Sequence, residues 1–216
     1  MNAMKEIRWH GRAGQGAKSI AQILGLALMK SGSYVQAFPE YGPERSGAPV
    51  QAYTRVSDRP IRIRFGITEP DTVVVIDDSL VREVPVLEGL PSDGVALINT
   101  AERAPAALGL DETDSRIHLI DAGRIAAEAG AKFANVVMMG ALAGVRGEPP
   151  LEAVIAAVCE SFSAKQSAGV LEANLAAIRA GYDAAREATA KRTTAKRTTS
   201  VQQATSAKEQ HHVTGA

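Results

Sequence analysis

A strand pattern that runs into six glycine-rich residues and emerges as a helix pattern leaves this chain few folds to choose from. Ile7-Arg8-Trp9-His10 alternates apolar and polar residues and enters Gly11-Arg12-Ala13-Gly14-Gln15-Gly16. From Ala17 to Ser31, the residues Ile20, Ile23, Leu24, Ala27 and Leu28 recur at spacings of three and four, which puts them on one helix face. Gly32 stops that helix, because glycine enters a positive φ cheaply, and Tyr34 to Phe38 reads as a second strand. A strand–helix–strand unit of this kind takes a right-handed parallel crossover. A helix start after such a turn gathers backbone N–H groups and attracts anions, phosphate above all. Glycines there equally allow a helix to pack close on a strand with no ligand present. Position alone leaves both readings open.

Two familiar phosphate loops test the turn. The dinucleotide fingerprint G-x-G-x-x-G differs from the G-x-x-G-x-G order here, although Glu40 follows the second strand, where a ribose-binding acid could stand. In the G-x-x-x-x-G-K-[ST] loop, lysine follows the last glycine directly. Here Ala17 intervenes before Lys18-Ser19, which turns Lys18 by about 100° around a helix of roughly 3.6 residues per turn. Neither loop fits.

Pro39 to Pro49 carries prolines and glycines throughout and reads as a long ordered loop, the kind that is usually functional. Val50 to Val56 and Ile61 to Phe65 alternate across Ser57-Asp58-Arg59-Pro60, which predicts a half-exposed β-hairpin with Arg62 and Arg64 on one face. Thr72 to Ile76 is continuously apolar after its first residue and predicts a central strand buried on both sides. Val95 to Ile98 and Ile117 to Ile120 are two further short strands. Residues 123–130, 135–145, 151–162 and 168–186 read as helices, the last with Leu171, Leu175 and Ile178 on one face. The expected fold is α/β: a three-layer α/β/α single domain on a mixed sheet, mostly parallel strands plus a β-hairpin.

That domain is expected to span residues 5–186. Beyond it, Lys191-Arg192-Thr193-Thr194 returns as Lys196-Arg197-Thr198-Thr199 in a Thr/Ala/Gln-rich stretch with few apolar groups. Such a composition does not offset chain entropy, so 187–216 is expected to be a disordered basic tail. Its positive excess is balanced by a negative excess in the rest of the chain, whose net charge is zero. No concentrated basic patch marks a nucleic-acid face in the folded part. Cys159 is the only cysteine, whereas a [4Fe–4S] cluster takes four thiolates, so this chain cannot hold one alone. No apolar run approaches the roughly 20 residues of a membrane span, and Met1 to Lys5 lacks a signal-peptide stretch. The expectation is a cytoplasmic protein with no membrane partner.

Two motifs and a third in order carry a resemblance. His10-Gly11-Arg12-Ala13-Gly14-Gln15-Gly16-Ala17 is followed by Phe38-Pro39-Glu40-Tyr41-Gly42-Pro43-Glu44-Arg45-Ser46-Gly47-Ala48-Pro49-Val50. Further on come Thr72 to Asp78, Asn135 to Leu142, and Asn174 through Tyr182. The chain from Lys5 to Ala185 resembles the gamma subunit of pyruvate and related 2-oxoacid:ferredoxin oxidoreductases. Ala13 stands where that family often has glycine, which would strain a positive φ, and Ser46 stands where it often has Arg or Gly.

The resemblance implies a complex that oxidatively decarboxylates a 2-oxoacid on thiamine diphosphate with Mg2+. Its electrons leave through [4Fe–4S] clusters to ferredoxin or a related acceptor, and coenzyme A takes the acyl group. It implies thiamine-diphosphate-binding subunits of alpha and beta type and a ferredoxin-like [4Fe–4S] subunit as partners, in a hetero-oligomer repeated as a dimer of heteromers. This chain would bind none of these cofactors alone and would carry no catalytic or metal-ligating residue. Gly11, Arg12, Gly14, Gln15, Gly16, Tyr41, Gly42, Glu44, Arg45, Ser46 and Gly47 are the implied contacts, to coenzyme A, a phosphate or another subunit. Arg12 and Arg45 would supply forked donors, or Glu44 and Arg45 would form structural ion pairs between subunits.

Pyruvate is the commonest substrate of such complexes. The alternatives are 2-oxoglutarate, a branched-chain 2-oxoacid, oxalate and phenylglyoxylate. Two other readings remain, a stand-alone nucleotide-binding α/β protein using the Gly11–Gly16 turn and a purely structural scaffold subunit. His10 and His118 read as structural histidines, Cys159 as a small buried apolar residue, and Asp77 and Asp78 as groups that bond loop amides or cap the next helix.

Overall fold

A computed structural model of the chain describes residues 4–40, 47–164 and 166–213, with 192–213 as backbone only. Six strands form one sheet: β1 (Lys5–Arg12), β2 (Tyr34–Glu40), β3 (Pro49–Ser57), β4 (Thr72–Val75), β5 (Val95–Asn99) and β6 (Ile117–Ile120). Their spatial order is β2-β3-β1-β4-β5-β6. β3 runs antiparallel to both neighbours, while the β1·β4, β4·β5 and β5·β6 pairs are parallel.

The mixed sheet is as expected, but its antiparallel strand is paired differently. The partner of β3 is β2, through the register Tyr34↔Ser57 to Glu40↔Gln51, and Ile61–Phe65 enters no strand. β1 and β2 are therefore parallel in direction, with β3 inserted between them. The misreading has a physical cause: the alternation of half-buried Ile61 and Ile63 with exposed Arg62 and Arg64 records one-sided burial. Burial on one side does not require a ladder.

The helices are α1 (Ala17–Lys30), α2 (Leu80–Glu83), α3 (Ala122–Glu128), α4 (Ala134–Arg146), α5 (Leu151–Phe162) and α6 (Ala168–Val213). α1 and α3 to α6 gather on one face of the sheet. Trp9, Ala52, Val74 and Leu97 point up into them, and Ile20, Leu24, Met138, Leu142, Val158 and Ile178 point down. The single tryptophan, Trp9, is fully buried and donates from Nε1 to Thr54 Oγ1 (3.1 Å), which in turn donates to Ala21 O (3.1 Å). One polar chain thus ties β1, β3 and α1.

The opposite face has a thinner cover. Val73, Val75, Ala96 and Ile98, the alternate residues of β4 and β5, pack there with Leu80, Val86, Leu90 and Leu108. α2 and a single 3-10 turn at Pro105–Leu108 are the only regular elements that serve it among the described residues. β4 is buried along its whole length, as its apolar run predicts.

α6 runs on to Val213, well past the Arg186 where the apolar stripe ends. Ala, Lys, Arg, Gln and Glu are good helix formers, and neither glycine nor proline interrupts them before Gly215. A scarcity of apolar groups speaks against a packed core, not against a helical backbone. No described helix is long and apolar enough to cross a membrane.

Candidate functional site

The chain moves from β1 to one side of the sheet and later to the other, so the carboxyl ends of β1 and β4 flank a topological switch point. In open α/β sheets, ligands take the crevice at that place. Gly11–Gly16 leaves the end of β1 there, and Asp77–Ser79 leaves the end of β4.

The turn is shaped by two glycines with positive φ, Gly14 at 97° and Gly16 at 78°. Gly16 also borders Asn135 so closely that a Cβ on it would fall on the Asn135 amide. Asn135, at the start of α4, donates to Gln15 O (2.9 Å) and pins the turn to the helical layer. Ala13 has no positive φ, since no residue other than glycine does among those described. The strain expected from alanine in place of the family's glycine does not arise.

Arg12 does not reach outward. Its guanidinium donates through Nε to Ser79 Oγ (3.2 Å) and through Nη1 to Gly47 O (3.1 Å). Nη2 donates to Ser79 Oγ (2.5 Å) and to Glu83, and the Asp77 carboxylate lies 3.5 Å from Nε. Of the five donors of a guanidinium, all but one are engaged within the chain. Gln15 closes the turn from inside. Its Oε1 accepts from Arg12 N (2.8 Å) and its Nε2 donates to Asp77 Oδ2 (2.7 Å).

Burial alone would raise the Asp77 carboxyl. The hydrogen bonds from Ser79 and Gln15, with the charge of Arg12, instead hold it below the usual carboxylate value. Asp77 also accepts from Ser79 N (3.2 Å), the loop-amide role its strand-end position suggests. Asp77 and Glu83 both face the Arg12 guanidinium, so its charge is met within the chain.

The two motif loops meet. Ala13 N donates to Ala48 O (2.9 Å) beside the Arg12–Gly47 bond. Tyr41, Gly42, Glu44, Arg45 and Ser46 lie outside the described residues. Three members of the cluster were not among the residues singled out as contacts: Asn135, Ser79 and Glu83. Asn135 lies within one of the motifs that carry the resemblance, and Asp77-Asp78 drew attention to the strand end. Nothing in the sequence marks Glu83.

Glu40 does not serve as a ribose-binding acid. It sits on β2, two strands from β1, and receives the Tyr53 hydroxyl proton in a hydrogen bond. Burial and the Glu40 carboxylate together push the Tyr53 phenol up. Cys159 is half-buried on α5, more open than its apolar surroundings suggest.

His10, one residue before the turn, is buried and accepts from Arg8 Nε at Nε2 (3.1 Å), so its proton sits on Nδ1. Burial first, and the Arg8 charge second, lower its pKa to about 3. A folded value below the unfolded 6.5 means that the unfolded chain binds the proton first. Stability is therefore full above pH 6.5 and falls as pH drops toward 3, by at most about 1.4 kcal/mol per pH unit. Unfolding midpoints from pH 7 to pH 4 should fall in the wild type and fall less steeply in His10→Asn. Parallel slopes would show that another group sets the dependence.

A mixed six-stranded sheet whose switch-point turn is closed by its own side chains defines the class: a single-sheet α/β domain. The chain belongs to the family described as Pyruvate ferredoxin/flavodoxin oxidoreductase, whose pattern matches residues 6–184. Pyruvate synthase subunit PorC of Thermotoga maritima is 45% identical over 179 residues, covering 82% of this chain and 93% of the relative. The pyruvate/ketoisovalerate oxidoreductases common subunit gamma of Thermococcus kodakarensis is 47% identical over 162 residues, covering 74% and 88%. The crystal structure of the Thermotoga maritima pyruvate oxidoreductase subunit PORC superposes with a TM-score of 0.73 at 40% identity, over 84% of this chain and 97% of that one.

Proposed function

We propose that the chain is the gamma-type subunit of a 2-oxoacid:ferredoxin oxidoreductase, with pyruvate as the first substrate to test. The observation that carries the reading is the junction of the two motif loops, Arg12-Ala13 against Gly47-Ala48, at the switch point of a fold shared with the pyruvate oxidoreductase subunit PORC. Thiamine diphosphate with Mg2+ belongs to the alpha- and beta-type partners, and the [4Fe–4S] clusters belong to the ferredoxin-like partner, because one cysteine cannot supply four thiolates. When bound in the complex, those groups supply decarboxylation and electron transfer to ferredoxin, and coenzyme A takes the acyl group.

The domain of residues 5–186 sits at the entrance to that active site in the cytoplasmic complex, a dimer of heteromers. Residues 187–216 are a basic extension beyond that domain. Because Arg12 is engaged within the chain, Arg45 is the second motif arginine proposed to meet a phosphate of coenzyme A. The alternative within the same complex is a scaffold role for the turn, which the saturation of Arg12 favours. A stand-alone nucleotide site fits less well, since Glu40 is displaced from β1 by a strand.

Anaerobic purification of the chain from its native cells tests the reading. Recovery with a cluster-bearing and a thiamine-diphosphate subunit, plus dye reduction driven by pyruvate, is the expected result. Reduction driven only by 2-oxoglutarate, a branched-chain 2-oxoacid, oxalate or phenylglyoxylate would change the substrate and keep the assignment. Recovery as a lone nucleotide-binding monomer would end it. In the recovered complex, Arg45→Gln should raise the KM for coenzyme A by roughly tenfold, the order expected for one lost charged hydrogen bond. An unchanged KM would leave the scaffold role.

A further inference from the structure

The thin face of the sheet is covered unevenly. Over β4 and β5 it carries α2 and the segments around Val86, Leu90 and Leu108. Over β2, β3 and β1 no helix lies among the described residues, and an irregular stretch from Ile61 to Thr68 crosses instead. Gln36 Nε2 donates to Ile63 O (3.0 Å), Arg55 Nη2 to Gly66 O (3.2 Å), and Arg8 Nη1 to Ile67 O (3.2 Å). The stretch is thus tied to β2, β3 and β1 in turn through side chains.

Its outer side is unfinished. Among the described residues no backbone-to-backbone hydrogen bond engages Ile61–Gly66, so a run of amides has no ladder partner. Arg62 and Arg64 are exposed and in no ion pair among the described residues, and Arg59 reaches only Asp58, at 3.8 Å. Phe65 is 65% exposed, yet it is anchored from beneath. The buried Arg55 guanidinium lies 5.4 Å from its ring centroid and 5.6 Å from that of Phe38. A stretch with strand-like alternation, amides without a ladder partner among the described residues, two neighbouring cations and a held aromatic has the features of a surface that accepts an added strand.

We infer that Ile61–Phe65 docks an extended acidic segment of another subunit of the complex. That segment's carboxylates meet Arg62 and Arg64, its backbone meets the amides of the stretch, and its apolar residues rest on Phe65. The inference rests on the subunit reading above. Charge argues against a second copy of this chain as the occupant, because symmetric pairing of the stretch would set its arginines against one another.

The test uses the full chain and its partner subunits, assembled anaerobically. Arg62→Glu combined with Arg64→Glu should weaken assembly by about tenfold or more at low salt. The unfolding midpoint of the free chain should not change, since both side chains are exposed. Amides 61–66 of the wild type should exchange more slowly in the complex than in the free chain. Undiminished assembly of the double variant, or equal exchange in both states, overturns the docking strand and leaves the functional reading intact. Self-association of the free chain that the double variant abolishes overturns it as well, in favour of a homodimer contact. A wild-type chain that assembles with no partner subunit overturns both readings.

Discussion

Gly140→Ala is expected to be among the most destabilising single-methyl changes in the chain, at about 3 kcal/mol, the upper end of the range for overpacking a core. A Cβ at Gly140 would fall on the carbonyl oxygen of Ile178, one at Gly181 on that of Val137, and one at Gly144 2.5 Å from that of Tyr182. The obstacle in each case is backbone, which cannot rotate away as a side-chain end can. Gly140 and Gly144 are one helical turn apart on α4, so they form a single flat strip against α6. A methyl there must push the two helices apart and open the contacts of Val137, Met138 and Ile178, all fully buried. For a domain of this size the loss corresponds to a midpoint lower by roughly 6–12 °C. Gly169→Ala makes the contrast. That glycine has open space around it and no positive φ, so alanine should raise stability by up to about 1 kcal/mol. Similar midpoints for the two variants would show that α4 and α6 yield more easily than their backbone contact implies.

Arg55→Met should be comparably costly. Arg55 is fully buried on β3, paired with Glu6 of β1, bonded to Gln36 Oε1 of β2 (3.1 Å) and to Gly66 O, and lies between two aromatic rings. Methionine keeps much of the stem but strands Glu6 and two acceptors. Removing one partner of a buried pair costs on the order of 3–5 kcal/mol, and the partial exposure of Glu6 places this case near 3. Adding Glu6→Gln should recover part of the loss, because the unpaired charge is then gone. A double variant less stable than Arg55→Met alone would show that the cost lies in the carbonyl and ring contacts.

Much of this fold could be read from the order of residues, and the exceptions share a cause. α1, α4 and α5 follow from apolar spacing, and β4 from its unbroken apolar run, because burial on one or both sides writes directly into residue type. The cover over the back of β1, β3 and β2 was read as a hairpin strand, since Ile61 and Ile63 alternate as a strand would. α2 and the 3-10 turn were not foreseen, being too short to show a period. At the candidate site, the interest of the two glycine-bearing loops follows from their family resemblance. The internal fate of Arg12 does not, because its acceptors Ser79, Glu83 and Gly47 O lie far along the chain and two of them carry no motif. An arginine in a glycine turn looks like a ligand contact until its intrachain partners are known.

The bond from Trp9 to Thr54 gives the chain an optical reporter of its own. β3 emerges after β1, α1 and β2, yet it must enter between two strands and satisfy two antiparallel registers together. Until it does, the indole on β1 lacks its Thr54 acceptor, and the same hydroxyl cannot reach Ala21 on α1. With a single tryptophan in the sequence, emission is undivided. Its shift during refolding therefore follows the closing of the core around Trp9, the interposed strand included, against the growth of helix seen by circular dichroism.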